Sequence, residues 1–97
     1  MLSRIQLTVL SQRRTLRERR IGAALILVEN RGSVEKLNQL FSAHSSVIVA
    51  RQGIPLQQRG VSVISLVLDG TSDEISALTG TVGKLDGVQV KTLMMKG

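Results

Sequence analysis

Between Val61 and Val90 the chain alternates between two kinds of apolar spacing, and the alternation marks out three elements. Val63-Ile-Ser-Leu-Val-Leu68 is apolar with little polar relief, the mark of a strand buried on both faces. Thr71-Ser-Asp-Glu74 has the T-x-x-E spacing of a helix start, where a hydroxyl satisfies one free N–H and a carboxylate reaches back to another. Ile75, Leu78, Val82 and Leu85 then recur at helical spacing on one face. Asp86-Gly87 turns the chain into Val88-Gln-Val90, which alternates as a strand does.

The first half repeats this order. Moving back 41 positions places Leu66, Leu68, Ile75, Leu78, Val82, Val88 and Val90 on Leu25, Leu27, Val34, Leu37, Phe41, Val47 and Val49. Ile21–Glu29 is therefore a strand, central in the sheet because its apolar run is continuous. Asn30-Arg-Gly-Ser33 is a turn with Ser33 as N-cap, and a helix follows to about Ala43 with Val34, Leu37, Leu40 and Phe41 buried. Val47–Arg51 is the second strand. Gln52–Gly60 reads as a long hairpin connection, with Pro55 fit only for a loop or a sheet edge.

One strand-helix-strand unit cannot bury its own helix face, so two of them are expected to pack as one α+β, ferredoxin-like βαββαβ domain. Right-handed crossovers lead to an antiparallel sheet of order 4-1-3-2 with both helices on one face. The turn at 29–33, the 51–60 hairpin and the Asp86-Gly87 turn then share one end of the sheet, with Arg31, Arg51 and Arg59 on a common rim. The other face is expected to be bare and apolar, formed by Ala24, Ile26 and Val28 with Val63, Ser65 and Val67. Such a patch predicts an interface between copies of the chain, a homodimer or higher.

Charge divides the 97 residues unevenly. Residues 1–20 carry six arginines and one acid, whereas residues 21–97 are close to balanced, so the net charge of +6 belongs mainly to an arm. The expected division is a basic extension over 1–19 and a folded domain over 20–97. Arg13, Arg14, Arg17, Arg19 and Arg20 are the phosphate-contacting candidates if the arm meets a nucleic acid; an extension without that role is the competing expectation. No apolar run approaches the ~20 residues of a membrane span, and no leader pattern opens the sequence, so a cytoplasmic protein with no membrane partner is expected. Cysteine is absent, which removes disulfides, thiolate metal sites and thiol nucleophiles.

Several segments resemble a small bacterial family described as regulators of the iron-only hydrogenase system. They are Arg20-Ile-Gly22, Val28-Glu-Asn-Arg31, Arg51-x-Gly-x-Pro55, Arg59-Gly60, the run from Val61 to Ile75, Ala77-Leu-Thr-Gly80 and Gly87-Val-x-Val-Lys91. The likeness spans residue 20 to about 96. That family is similar in fold to ACT domains and to the C-terminal domain of the nickel-responsive repressor, which implies ferredoxin-like subunits that oligomerise in a regulatory role.

The residues narrow the chemistry. His44 is the sole histidine and stands at a helix end, so no metal site is predicted. Phe41 is the sole aromatic and belongs to a helix face, which leaves no base-stacking platform for RNA. No Ser/His/Asp constellation is present, Asp73-Glu74 belong to a helix cap, and Asn30 and Arg31 share a turn, where an acylphosphatase-like site would need an asparagine on a strand. No catalytic residue, enzymatic activity or cofactor is predicted. Effector binding remains: ACT domains hold small ligands at the first strand-to-helix turn, and the resemblance implies Asn30, Arg31, Gly32 and Ser33 as that site; Arg51 and Arg59 are candidate rim ligands by their place on the hairpin, with solvated hairpin arginines as the competing expectation. Free N–H groups at a helix start and a guanidinium suit an anion. Gly32 and Ser33 serve equally well as turn and cap.

Overall fold

The structure, a computed structural model, describes residues 19–96. Strand β1 covers Arg19–Val28, helix α1 Val34–Ala43, β2 Ile48–Leu56, β3 Val61–Thr71, α2 Ser72–Val82 and β4 Val88–Met95. The sheet order is β2-β3-β1-β4, the predicted 4-1-3-2 read from the other edge, and every neighbouring pair is antiparallel. This is a ferredoxin-like βαββαβ fold. The apolar runs of β1 and β3 take the two central places because only there are both edges of a strand hydrogen-bonded and both faces available to side chains.

Both helices press on one face. Leu37 and Phe41 from α1, and Ile75, Leu78 and Val82 from α2, meet Ala24, Ile26 and Val28 of β1 and Ile64, Leu66 and Leu68 of β3 in a single core. The expected bare face is thereby corrected on β1: Ala24, Ile26 and Val28 are buried under the helices. Their neighbours Ile21, Ala23 and Leu25 are exposed on the opposite side, where they align with Val67 and Ser65 of β3 and Leu93 and Met95 of β4. An open apolar sheet face does exist, with Leu25 56%, Val67 43% and Leu93 65% exposed.

The cause is register. A shift of 41 aligns Leu25 with Leu66, yet Leu66 is buried and Leu25 is not. The first strand-helix connection holds a one-turn 3-10 helix, Arg31–Ser33, whereas β3 passes into α2 directly. The repeat is thus real in element order but offset in its strands, and in a strand an offset of one residue exchanges the two faces. The helices keep the alignment, Leu37 with Leu78 and Phe41 with Val82 all buried, and only Val34, at the first residue of α1, is exposed where its counterpart Ile75 is buried.

Two strands run further than the sequence reading placed them. β2 continues through Pro55 to Leu56, and the hairpin closes tightly over Gln57–Arg59 with Gly60 in the left-handed region at φ 67°. Pro55 is tolerated because β2 is an edge strand. β3 continues beyond the apolar run that ends at Leu68, through Asp69-Gly70 up to Thr71.

The start of α2 follows the sequence closely. The Thr71 hydroxyl accepts from the Glu74 amide at 3.1 Å, and Glu74 accepts from the Thr71 amide at 3.0 Å. That backbone N–H, with the Thr71 hydroxyl second, holds the Glu74 carboxyl below its ordinary value of 4.5. Because the folded-state pKa is depressed, the stabilisation is complete above about pH 4.5 and is lost as pH falls through the lowered value. Denaturant midpoints at pH 7, 5 and 3 should fall toward acid, and fall less steeply in Glu74→Gln. Thr71→Ala should cost about 1 kcal/mol at neutral pH.

Candidate functional site

At the end of the sheet where β1 finishes, three connections meet. Val28 pairs with Ser62 at the start of β3 and with Val88 at the start of β4, so the first turn, the hairpin and the α2–β4 turn share that rim as predicted. The first and third are tied together. Glu29 N–H donates to the Gly87 carbonyl at 2.7 Å, Asn30 Nδ2 donates to Asp86 Oδ2 at 2.9 Å, and the Ser33 hydroxyl donates to the Asp86 carbonyl at 2.7 Å. Gly87, at φ 66°, lies so close to Asn30 that an added Cβ would stand 2.5 Å from the Asn30 Cβ.

This tie settles how the four turn residues are used. Asn30 Oδ1 accepts from Gly32 N–H at 2.9 Å and so caps the 3-10 turn. Ser33, expected to cap α1 through its side chain, occupies the N-cap position without a capping bond, because its buried hydroxyl is committed to Asp86. Asn30, Gly32 and Ser33 therefore build the rim. Arg31 is exposed and borders a cleft of about 30 Å³ between the turn and the hairpin, lined also by Val34, Pro55, Gln57 and Gly60. That volume holds a water or two, so a ligand of any size at Arg31 would rest across the mouth of the cleft.

The other two arginines lie apart from it. Arg51 was expected on the rim, but β2 extends past it and pairs it with Leu66 well inside the sheet. Its guanidinium stands 4.9 Å from the Phe41 ring centroid and donates to Asn38 Oδ1 at 3.2 Å, which makes it a brace between β2 and α1. Arg59, at the hairpin tip, borders a trough of about 310 Å³ on the open sheet face, together with Leu25, Leu27, Val63, Gln89 and Lys91. Gln89 Nε2 donates to Glu29 at that edge.

Of the arm candidates, Arg13, Arg14 and Arg17 lie outside the described residues. Arg19 and Arg20 belong to β1. Arg19 Nε donates to Asp69 Oδ1 at 3.0 Å and its Nη2 to the Asp69 carbonyl at 3.0 Å, so this guanidinium fastens β1 to β3. Among the described residues no three His, Cys, Asp or Glu side chains converge as a metal site, and no helix is long and apolar enough to cross a membrane.

Sequence reasoning missed Asp86 as the partner of Asn30 and Ser33. Nothing local could have revealed it, since Asn30 and Asp86 stand 56 positions apart.

Comparison with known proteins agrees with this architecture. The profile of the TM1266-like family, described as "Iron-only hydrogenase system regulator, putative", matches residues 20–92. The structure of the uncharacterized protein TM1266 from Thermotoga maritima is 34% identical and superposes with a TM-score of 0.77, covering 81% of this chain and 100% of that one. A formyltetrahydrofolate deformylase from Pseudomonas syringae pv. tomato superposes with a TM-score of 0.58 at 10% identity, over 94% of this chain and 33% of that one. The second likeness is one of fold alone. No curated protein sequence matches.

Proposed function

Because this chain belongs to the TM1266-like family, described as iron-only hydrogenase system regulators, we propose that it is a non-enzymatic regulatory module of the cytoplasm that pairs with a second copy through its open sheet face and senses a small anionic effector, or an acidic group on a partner, at the Arg31 end. The observation that carries this reading is the open face itself. Ile21, Leu25, Ile54, Val67, Leu93 and Met95 are all exposed on one side of a four-stranded sheet whose other side carries both helices and the core. A surface of that kind is costly to leave in water and is usually an interaction site.

The effector half of the reading rests on a narrower base than the sequence implied. Asn30 and Ser33 spend their side chains on Asp86, and Gly32 N–H is taken by Asn30. The ACT-like role of the turn therefore passes to Arg31, whose exposed guanidinium can hold a carboxylate or phosphate with two parallel bonds.

Thermal shift against anionic amino acids, nucleotides and inorganic phosphate tests the sensing. At least one should raise Tm by several degrees at saturation, and Arg31→Ala should abolish the shift while leaving the unliganded Tm unchanged. No shift with any of them would overturn the effector reading and leave a module that only assembles.

A further inference from the structure

The trough on the open sheet face has a chemistry distinct from the Arg31 cleft. Its floor is Leu25, Leu27 and Val63, its edges are Arg59, Gln89 and Lys91, and its volume is about 310 Å³. The Arg31 cleft involves Val28 and Val34 on the helix side, so the two hollows lie on opposite faces of the sheet. We propose that this trough binds a small amphipathic anion, a carboxylate joined to a medium-length alkyl chain or a single ring.

Size, floor and charge each argue for that ligand. A volume near 310 Å³ is at the lower end of the range for small-molecule sites, too roomy for a lone anion and too small for a peptide segment. The floor is wholly aliphatic and rewards an apolar body. The two cations stand on different elements, Arg59 on the hairpin and Lys91 on β4 beside Leu25, so a head group at either end meets a positive charge. No carboxylate lines the trough. Glu29 is bonded to Gln89 at its edge, and among the described residues neither Arg59 nor Lys91 has a salt-bridge partner.

The site stands on one chain alone and is independent of Arg31. If the face also pairs with a second copy as proposed above, that copy closes over Arg59 and Lys91, and desolvated cations require a counter-charge. The ligand carboxylate supplies it, so the anion and the second copy favour one another.

Octanoate, octanol and octylammonium titrated into the full chain, followed by backbone amide NMR, test the assignment. Octanoate should bind saturably and shift Leu25, Leu27, Val63 and Gln89, and octylammonium should not. The Arg59→Gln/Lys91→Gln double variant should weaken octanoate at least tenfold, as expected for losing one charged hydrogen bond, each single variant should weaken it less because the other cation remains, and Arg31→Ala should leave it unchanged. Octanol binding as tightly as octanoate, full affinity in the Arg59→Gln/Lys91→Gln double variant, or shifts centred on Arg31 would each overturn the proposal. The last would do so while sparing the Arg31 reading.

Discussion

Aspartate at Ile26 should unfold the chain, and aspartate at the adjacent Leu25 should not. Ile26 is fully buried, paired with Ile64 on one side and Val90 on the other beneath the helices. Truncating such a side chain costs about 2–5 kcal/mol. Leaving a carboxyl group there without a hydrogen-bond partner adds several more. Together these approach the whole stability of a typical domain, about 5–15 kcal/mol. Leu25 is 56% exposed and sits opposite Lys91, which can pair with the new acid. Circular dichroism should therefore show Ile26→Asp without a cooperative melt and Leu25→Asp within a few degrees of the parent. Light scattering should then report Leu25→Asp/Val67→Asp at the mass of one 10.5 kDa chain, against a multiple of it for the parent. A parent already at one chain mass would remove the pairing from the proposed function.

Gly87→Ala should be the most damaging glycine substitution in the molecule. At φ 66° an alanine pays about 1–2 kcal/mol for its backbone conformation alone. The new Cβ would also stand 2.5 Å from the Asn30 Cβ and 3.0 Å from its backbone nitrogen, atoms held in place by the bonds to Asp86 and Gly32. Relief requires the α2–β4 turn to leave the first turn, breaking the Glu29–Gly87 hydrogen bond. A loss of roughly 3 kcal/mol, or about 12–24 °C in Tm for a domain of this size, is expected. Gly60→Ala isolates the conformational part, because that glycine shares the positive φ but faces open space. Its melting temperature should fall by less than half as much.

The sequence was informative where chemistry is local and silent where it is not. The capping box at Thr71 and Glu74 and the buried stripe of α2 depend on residues a few positions apart, and both were legible. Strand order followed from two strand-helix-strand units and the handedness of their crossovers. Which face of β1 is covered was not legible, because Ala23-Ala-Leu-Ile-Leu-Val28 is apolar at every position and offers no alternation to read. Only the packed helices distinguish Ile26 from Leu25. The same holds at the rim: the turn at Asn30–Ser33 was visible, but its commitment to Asp86 is a long-range contact. Arg51 was misplaced because Pro55 was read as the mark of a loop, whereas an edge strand accommodates it.

The register of β1 decides at which pole of the subunit the strand begins. Arg19 pairs with Thr71, and Val28, at the other end of the strand, with Ser62 beside the rim. At about 3.4 Å per residue that separation is about 30 Å. Anything that precedes Arg19 is therefore tethered at the pole away from Arg31, on the side where β4 also finishes, with Met95 beside Ile21. A small group attached at Arg19 or Met95 should therefore leave the Arg31 end, about 30 Å away, undisturbed.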